Sequence, residues 1–142
     1  MAITSAICNS FKQEILVGTH NLTASSGDTF KLALFTSSAS LGAGTTAYST
    51  SNEVSGTGYS AGGATLTSVT PVLDSSTAVC DFDDVSFTSA SFTANGCLIY
   101  NSSQSDKAVA VIAFGGDKTV SSGTFTIQFP TADASNAIIR IA

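Results

Sequence analysis

The residues able to do chemistry are few. One histidine, His20, stands against ten carboxylates and three cysteines. A histidine acting as a base needs a placed nucleophile or carboxylate, and no Gly-x-Ser-x-Gly elbow is present to offer the nucleophile. No catalytic residue is assigned. The densest acidic stretch is Asp81-Phe82-Asp83-Asp84. On an extended strand Asp81 and Asp83 point to one side, so with Asp84 they could approach a hard cation such as calcium. The spacing is far from an EF-hand loop, and a solvated acidic turn is the preferred reading over calcium or paired acid/base carboxylates. Neither a metal site nor a cofactor is expected.

Cys8, Cys80 and Cys97 make an odd count with no Cys-x-x-Cys or Cys/His ligand spacing. They read as small buried hydrophobes, with a reactive thiol or a subunit crosslink as the alternative. The run "GTGYSAGG" has the look of a phosphate-cradling loop but lacks the Lys-Ser/Thr ending of a P-loop. Its glycines, Gly56, Gly58, Gly62 and Gly63, do not match the dinucleotide fingerprint either. Glycine there reads as tight turning or close backbone approach. Tyr48 and Tyr59 could stack on sugars, a reading weakened by the absence of Trp. Asn21-Leu22-Thr23 and Asn101-Ser102-Ser103 match the glycosylation triplet; no secretory signal accompanies them.

The elements that would carry these residues follow from periodicity. Ile7, Phe11 and Ile15 recur at four-residue spacing with Cys8 and Leu16 beside them, which predicts an amphipathic helix over residues 5–17. Thr4 or Ser5 could cap its start and Gly18 its end. From residue 30 the period drops to two. Thr124 to Phe129 places Phe125, Ile127 and Phe129 on one face and Thr124, Thr126 and Gln128 on the other. Phe30, Leu32 and Leu34 repeat the pattern. Ala108 to Phe114 and Ile138 to Ile141 read as strands apolar on both faces, and further strands are expected near Leu66 to Leu73, Thr77 to Phe82, Val85 to Thr88 and Cys97 to Asn101.

Turn chemistry separates the strands at Ser25-Ser26-Gly27-Asp28, Gly42-Ala43-Gly44, Gly62-Gly63, Asp74-Ser75-Ser76, Gly115-Gly116-Asp117 and Ser121-Ser122-Gly123. Asn95-Gly96 is either a tight hairpin turn or a bulge within a strand. Short strands at this spacing, with no later segment able to form crossover helices, predict a mainly β, antiparallel sandwich or barrel. A single domain over residues 1–142 is expected, with the β portion spanning 30–142. Residues 36–64 form a long loop anchored by Leu41, Tyr48, Val54 and Tyr59 alone.

Composition narrows the function classes. Charged residues are 11% of the chain and hydrophobic ones 43%, with a mean hydropathy of +0.31. Polarity comes instead from 23 Ser and 19 Thr. Such a surface can be covered by a neighbour without stranding ions, and it loses little side-chain entropy in the process. The net charge is −5, and Lys12, Lys31, Lys107, Lys118 and Arg140 are scattered. That disfavours direct nucleic-acid binding and anionic membrane surfaces. No run approaches the length of a membrane span, and the expectation is a protein folded in a cytoplasm.

A family resemblance adds to this. "NEVSGTGYSAGG" (Asn52 to Gly63), "CLIYN" (Cys97 to Asn101), "AVAVIAFGGDK" (Ala108 to Lys118), "FTIQFPTADASNAIIRIA" (Phe125 to Ala142) and the opening "MAITSAICNSFKQEIL" resemble small virion structural proteins of tailed bacteriophages. The resemblance implies a head decoration, or cement, protein with a jelly-roll-like β-sandwich. It would bind the major capsid protein on the head exterior and associate with itself as a dimer or trimer. A tail or head-to-tail connector component is the alternative within that group, and a glycan-binding adhesive β-sandwich the alternative outside it. On the cement reading, contacts are expected in the 36–64 loop around Glu53, Val54 and Tyr59, with Tyr48 beside them.

Overall fold

The computed structural model describes residues 2–142. Strands and bridges make up 49% of the chain and helix 6%, so the mainly β, antiparallel expectation holds. Two sheets are present. The larger has the order β1-β7-β6-β2-β3 and the smaller β4-β5-β8. Their strands are β1 (Ala6–Ile7), β2 (Phe30–Phe35), β3 (Ala64–Thr65), β4 (Ser68–Asp74), β5 (Thr77–Phe82), β6 (Val85–Asn101), β7 (Lys107–Ile127) and β8 (Ile139–Ile141). The sheets meet where Phe30 of β2 packs on Phe82 of β5, ring centroids 5.8 Å apart.

The helix α1 spans Asn9–Leu16, starting later than its periodicity implies. Ile7 belongs to β1, where it pairs with Ala110, and Cys8 occupies the N-cap with no side-chain capping hydrogen bond. The competing demand is a main-chain one: β7 is buried at Ala110 and Val111, and pairing with Ala6 and Ile7 satisfies backbone groups there. Phe11 is buried as expected. Gly18 follows the helix at φ +78°, and its N–H donates to the Ile15 carbonyl, so the glycine stop is real.

The largest departure concerns strand length. The segments expected as separate short strands join into one hairpin, 17 residues of β6 against 21 of β7. Gly115-Gly116-Asp117 and Ser121-Ser122-Gly123 are not turns but bulges within β7. Between the pairs Ala94↔Lys118 and Gly96↔Ala113, Asn95 alone faces the segment Phe114 to Asp117. Gly115 and Gly116 take positive φ to make the bulge, and the Asn95 amide donates to Asp117 Oδ1 at 2.9 Å across it. Asn95-Gly96 is thus the strand-bulge alternative of the two left open. At Ser121-Ser122, opposite Ser91, the Ser122 N–H donates to Ser91 Oγ at 2.9 Å. Turn-forming residues act here as strand benders, because the partner strand runs on past them.

The hairpin divides into two parts with different surroundings. Near its turn, Gly96 to Asn101 and Ala108 to Val111 are buried, sandwiched by the flanking strands and α1. Farther out, β6 alternates with Phe87, Phe92 and Ala94 buried and Thr88, Ser91 and Thr93 exposed. Phe125 and Ile127 of β7 lie on the apolar side there, as the period of two requires, and Thr124, Thr126 and Gln128 on the exposed side.

Candidate functional site

Two polar clusters and two clefts organise the chemistry. The first cluster is built by the 36–64 segment, which is not a free loop. Bridges Phe35↔Glu53, Ala47↔Lys107 and Thr57↔Ser91 tie it to the large sheet, and the Val54 N–H donates to the Leu34 carbonyl at 2.9 Å. Its expected anchors, Leu41, Tyr48, Val54 and Tyr59, do pack on the core.

Glu53 is the hub of this segment. Its carboxylate accepts the Tyr48 hydroxyl at 2.6 Å, the Tyr59 hydroxyl at 2.5 Å and the Gly62 N–H at 2.8 Å. Tyr59 oxygen accepts the Leu34 N–H at 2.9 Å, Tyr100 donates to the Gly62 carbonyl at 2.6 Å, and the Tyr48 and Tyr100 rings stack at 4.5 Å. Burial, followed by the hydrogen bond to Glu53, pushes both Tyr48 and Tyr59 above the ordinary phenol range. Burial and the nearby charges of Asp106 and Glu53 push Tyr100 up to about 12.

Glu53, Val54, Tyr59 and Tyr48 are the residues expected as partner contacts. The structure brings all four together: Val54 is buried, and Glu53, Tyr48 and Tyr59 are half-buried with their polar groups bonded to one another or to backbone. They fix the shape of the segment. The outer side of the segment is hydroxyl-rich.

That outer side borders the larger cleft, about 770 Å³, lined by Thr45, Thr46, Ser49, Ser51 and Asn52 among others. No titratable side chain lines it. Its described lining offers hydroxyl and amide hydrogen-bonding groups. The second cleft, about 410 Å³, runs between the end of α1 and the small sheet and is walled by Ile15, Leu22, Pro71, Cys80, Ile139 and Ile141.

The second cluster surrounds His20. Its ring is fully buried against Phe11, centroids 4.8 Å apart, with Nε2 2.9 Å from Glu14 Oε1 and Nδ1 2.9 Å from Asn101 Nδ2. Asn101 also donates to Asp28 Oδ2 at 2.8 Å. Sequence reasoning missed Glu14 and Asn101 as its partners: Glu14 is six residues away but faces His20 only once the helix ends and the chain turns back, and Asn101 is 81 residues away. The only available signal was the isolation of a single histidine beside an amphipathic helix.

The acidic stretch is dispersed. Asp81 is half-buried in β5, while Asp83 and Asp84 are exposed at the β5–β6 corner, where Asp84 Oδ1 accepts the Phe129 N–H at 2.8 Å. Among the described residues no three His, Cys, Asp or Glu side chains are grouped to hold a metal ion.

All three cysteines are buried as free thiols. Burial pushes Cys8 up to about 11 and Cys80 and Cys97 up to about 12, with the charge of Glu14 adding at Cys8 and that of Asp81 at Cys80. Each keeps its proton in the folded state where the unfolded chain would be thiolate. Their contribution to stability is therefore complete below the ordinary thiol range, about 8.5, and is lost as pH rises through 11 to 12. Accordingly, a thiol reagent at pH 8 should label none of the three without denaturant and all three with it. The urea midpoint should fall between pH 9 and 12. Rapid labelling of the native protein would contradict this.

With this geometry in hand, the class defined is a mainly β, antiparallel protein with one short helix and two polar clusters. Comparison with protein-family models, curated proteins and solved structures returned no significant match.

Proposed function

We propose that this chain is a non-enzymatic structural protein of a tailed-bacteriophage particle, a decoration or cement protein on the head exterior. It binds across neighbouring major capsid protein subunits, associates with itself as a dimer or trimer, and is assembled in the host cytoplasm. Its two sheets act as a jelly-roll-like β-sandwich, a rigid platform for contact. Neither nucleic acid nor membrane is a direct partner.

One observation carries this reading. On a chain with only 11% charged residues, large apolar side chains stand in solvent: Leu16 is 86% exposed and Leu73 73%, with Val17, Val72 and Ile141 also exposed. Apolar exposure beside a flat hydroxyl surface suits burial under neighbouring subunits, since few ions must be desolvated. Many copies each making modest contacts would sum to a strong restraint on an expanding shell. These exposed positions join Glu53, Val54, Tyr59 and Tyr48 as expected contacts.

Electron microscopy of particles with and without the protein is the test. Labelled copies should coat the head at near-icosahedral stoichiometry, and Leu16→Glu with Leu73→Glu should lower occupancy while the isolated protein keeps its melting temperature. Label confined to the tail or connector would favour that alternative. No label on particles, together with a melting temperature raised by sugars, would replace the reading with a glycan-binding one.

A further inference from the structure

The His20 cluster has donors and acceptors whose roles can be assigned without ambiguity. The Ser103 backbone N–H, which can only donate, points at Asn101 Oδ1 from 3.0 Å. Asp28 can only accept when ionised, and it receives Asn101 Nδ2 at 2.8 Å and the Asn21 N–H at 3.0 Å. Burial works against the charge of Asp28, but bonds from Asn101, Asn21 and Gln104 outweigh it and hold its carboxyl below the ordinary carboxylate range. Both partners therefore fix the Asn101 amide in one orientation.

The consequence falls on His20. Asn101 directs an N–H at Nδ1 from 2.9 Å, so Nδ1 is an acceptor and the ring proton sits on Nε2, which donates to Glu14 Oε1 at 2.9 Å. A second proton on the ring would set Nδ1–H against the amide N–H₂. Glu14 on α1 and Asp28 in the 18–29 segment are the charged groups at the cluster, the Cys80 thiol lies along the same groove, and Phe11 and Phe30 close the faces of the ring. Two carboxylates at hand mean that the charged ring has partners nearby. What it cannot keep is the amide in its present place.

We propose that His20 is a proton-sensitive latch: protonating the ring expels the Asn101 amide from its slot and breaks the bridge it makes between Asp28 and the Ser103 N–H, loosening the 102–106 turn. Bonds beside Asn101 tie residues 102–104 to Asp28 and Thr29 independently of it. Ser102 N–H donates to the Thr29 carbonyl at 2.9 Å, Thr29 N–H to Ser103 Oγ at 2.8 Å, and Gln104 reaches Asp28 Oδ1 at 3.4 Å. Rotating Asn101 to present its oxygen to the imidazolium turns Nδ2 toward the Ser103 N–H and the oxygen toward Asp28, so both bonds are lost together. The device is independent of the proposed role in a phage particle.

Because the chain has one histidine, its imidazole signals are unambiguous. Nitrogen-15 NMR of the full chain between pH 8 and 5 should find the Nε2–H tautomer at the upper end. As the ring protonates, amide exchange at Ser103 and Asn21 should accelerate about tenfold, the weight of one hydrogen bond, following the imidazole signals while Leu32 and Leu98 stay protected. In His20→Gln the step should vanish. If that variant does not fold, coincidence of the imidazole and amide transitions in the unaltered chain decides the matter. An Nδ1–H tautomer at pH 8, a ring that stays neutral down to pH 5, or a ring that protonates with Ser103 and Asn21 unchanged would overturn the proposal.

Discussion

Glu53→Ala is expected to lower the free energy of unfolding by about 3 kcal/mol, chiefly by leaving donors without acceptors. The carboxylate serves two tyrosine hydroxyls and the Gly62 N–H at once. Removing it strands those groups in a half-buried site, and such orphaned donors cost more than the bonds themselves were worth. The loss is not the sum of three bonds, because relaxation of one tyrosine changes the others. Glu53→Gln should fall between the two, since one amide oxygen can still accept but the amide nitrogen faces donors. Urea denaturation of the three proteins measures the order. Equal stability of Glu53→Ala and the unaltered chain would mean that the 36–64 segment is held by its apolar anchors alone.

The hub shows where reading a sequence reaches its limit. Periodicity identified β5 over Thr77 to Phe82 without error, and it identified the apolar side of Phe125 and Ile127, because alternation along a strand is a local property. The same reasoning broke β6 and β7 into pieces. Gly115, Gly116, Ser121 and Ser122 have the chemistry of turns, and only the partner strand decides whether such residues reverse the chain or bulge it. Helix α1 lost its first turn for a related reason: the backbone of Ala6 and Ile7 is claimed by β7, about a hundred residues away.

The bonding of Glu53 is illegible for a different reason. Its sequence neighbourhood marks it only as an expected contact residue, with no sign of its tyrosine partners. Glu53 is half-buried because Tyr48, Tyr59 and Gly62 supply enough donors to replace water, and their convergence depends on the path of the whole segment. His20 reads in sequence as lacking a titratable partner, yet Glu14 lies six residues before it and reaches Nε2 once the helix forms, while Asn101 reaches Nδ1 through the fold.

The run that resembled a phosphate loop carries the other large effect. Gly63 lies at φ +79°, and a Cβ built there would fall inside the Leu32 carbonyl and 2.7 Å from Ala33 Cα. Both neighbours are backbone of β2, a strand buried in the sheet, so nothing soft can give way. Gly63→Ala should therefore destabilise the fold by about 4 kcal/mol or more, combining positive-φ strain with direct overlap. Gly115 separates the two causes. It has a similar φ of +76° but no atom near its missing Cβ, so Gly115→Ala should cost only about 1–2 kcal/mol, the left-handed strain alone. Gly56 isolates the other: its φ is outside the left-handed range, yet a Cβ would meet the Ser91 carbonyl oxygen at 2.5 Å. Denaturant midpoints should rank Gly63→Ala as the worst of the three. If it matched Gly115→Ala, close approach of the 62–63 turn to β2 would not be what makes glycine necessary there, and the seating of Glu53 against that turn would need another cause.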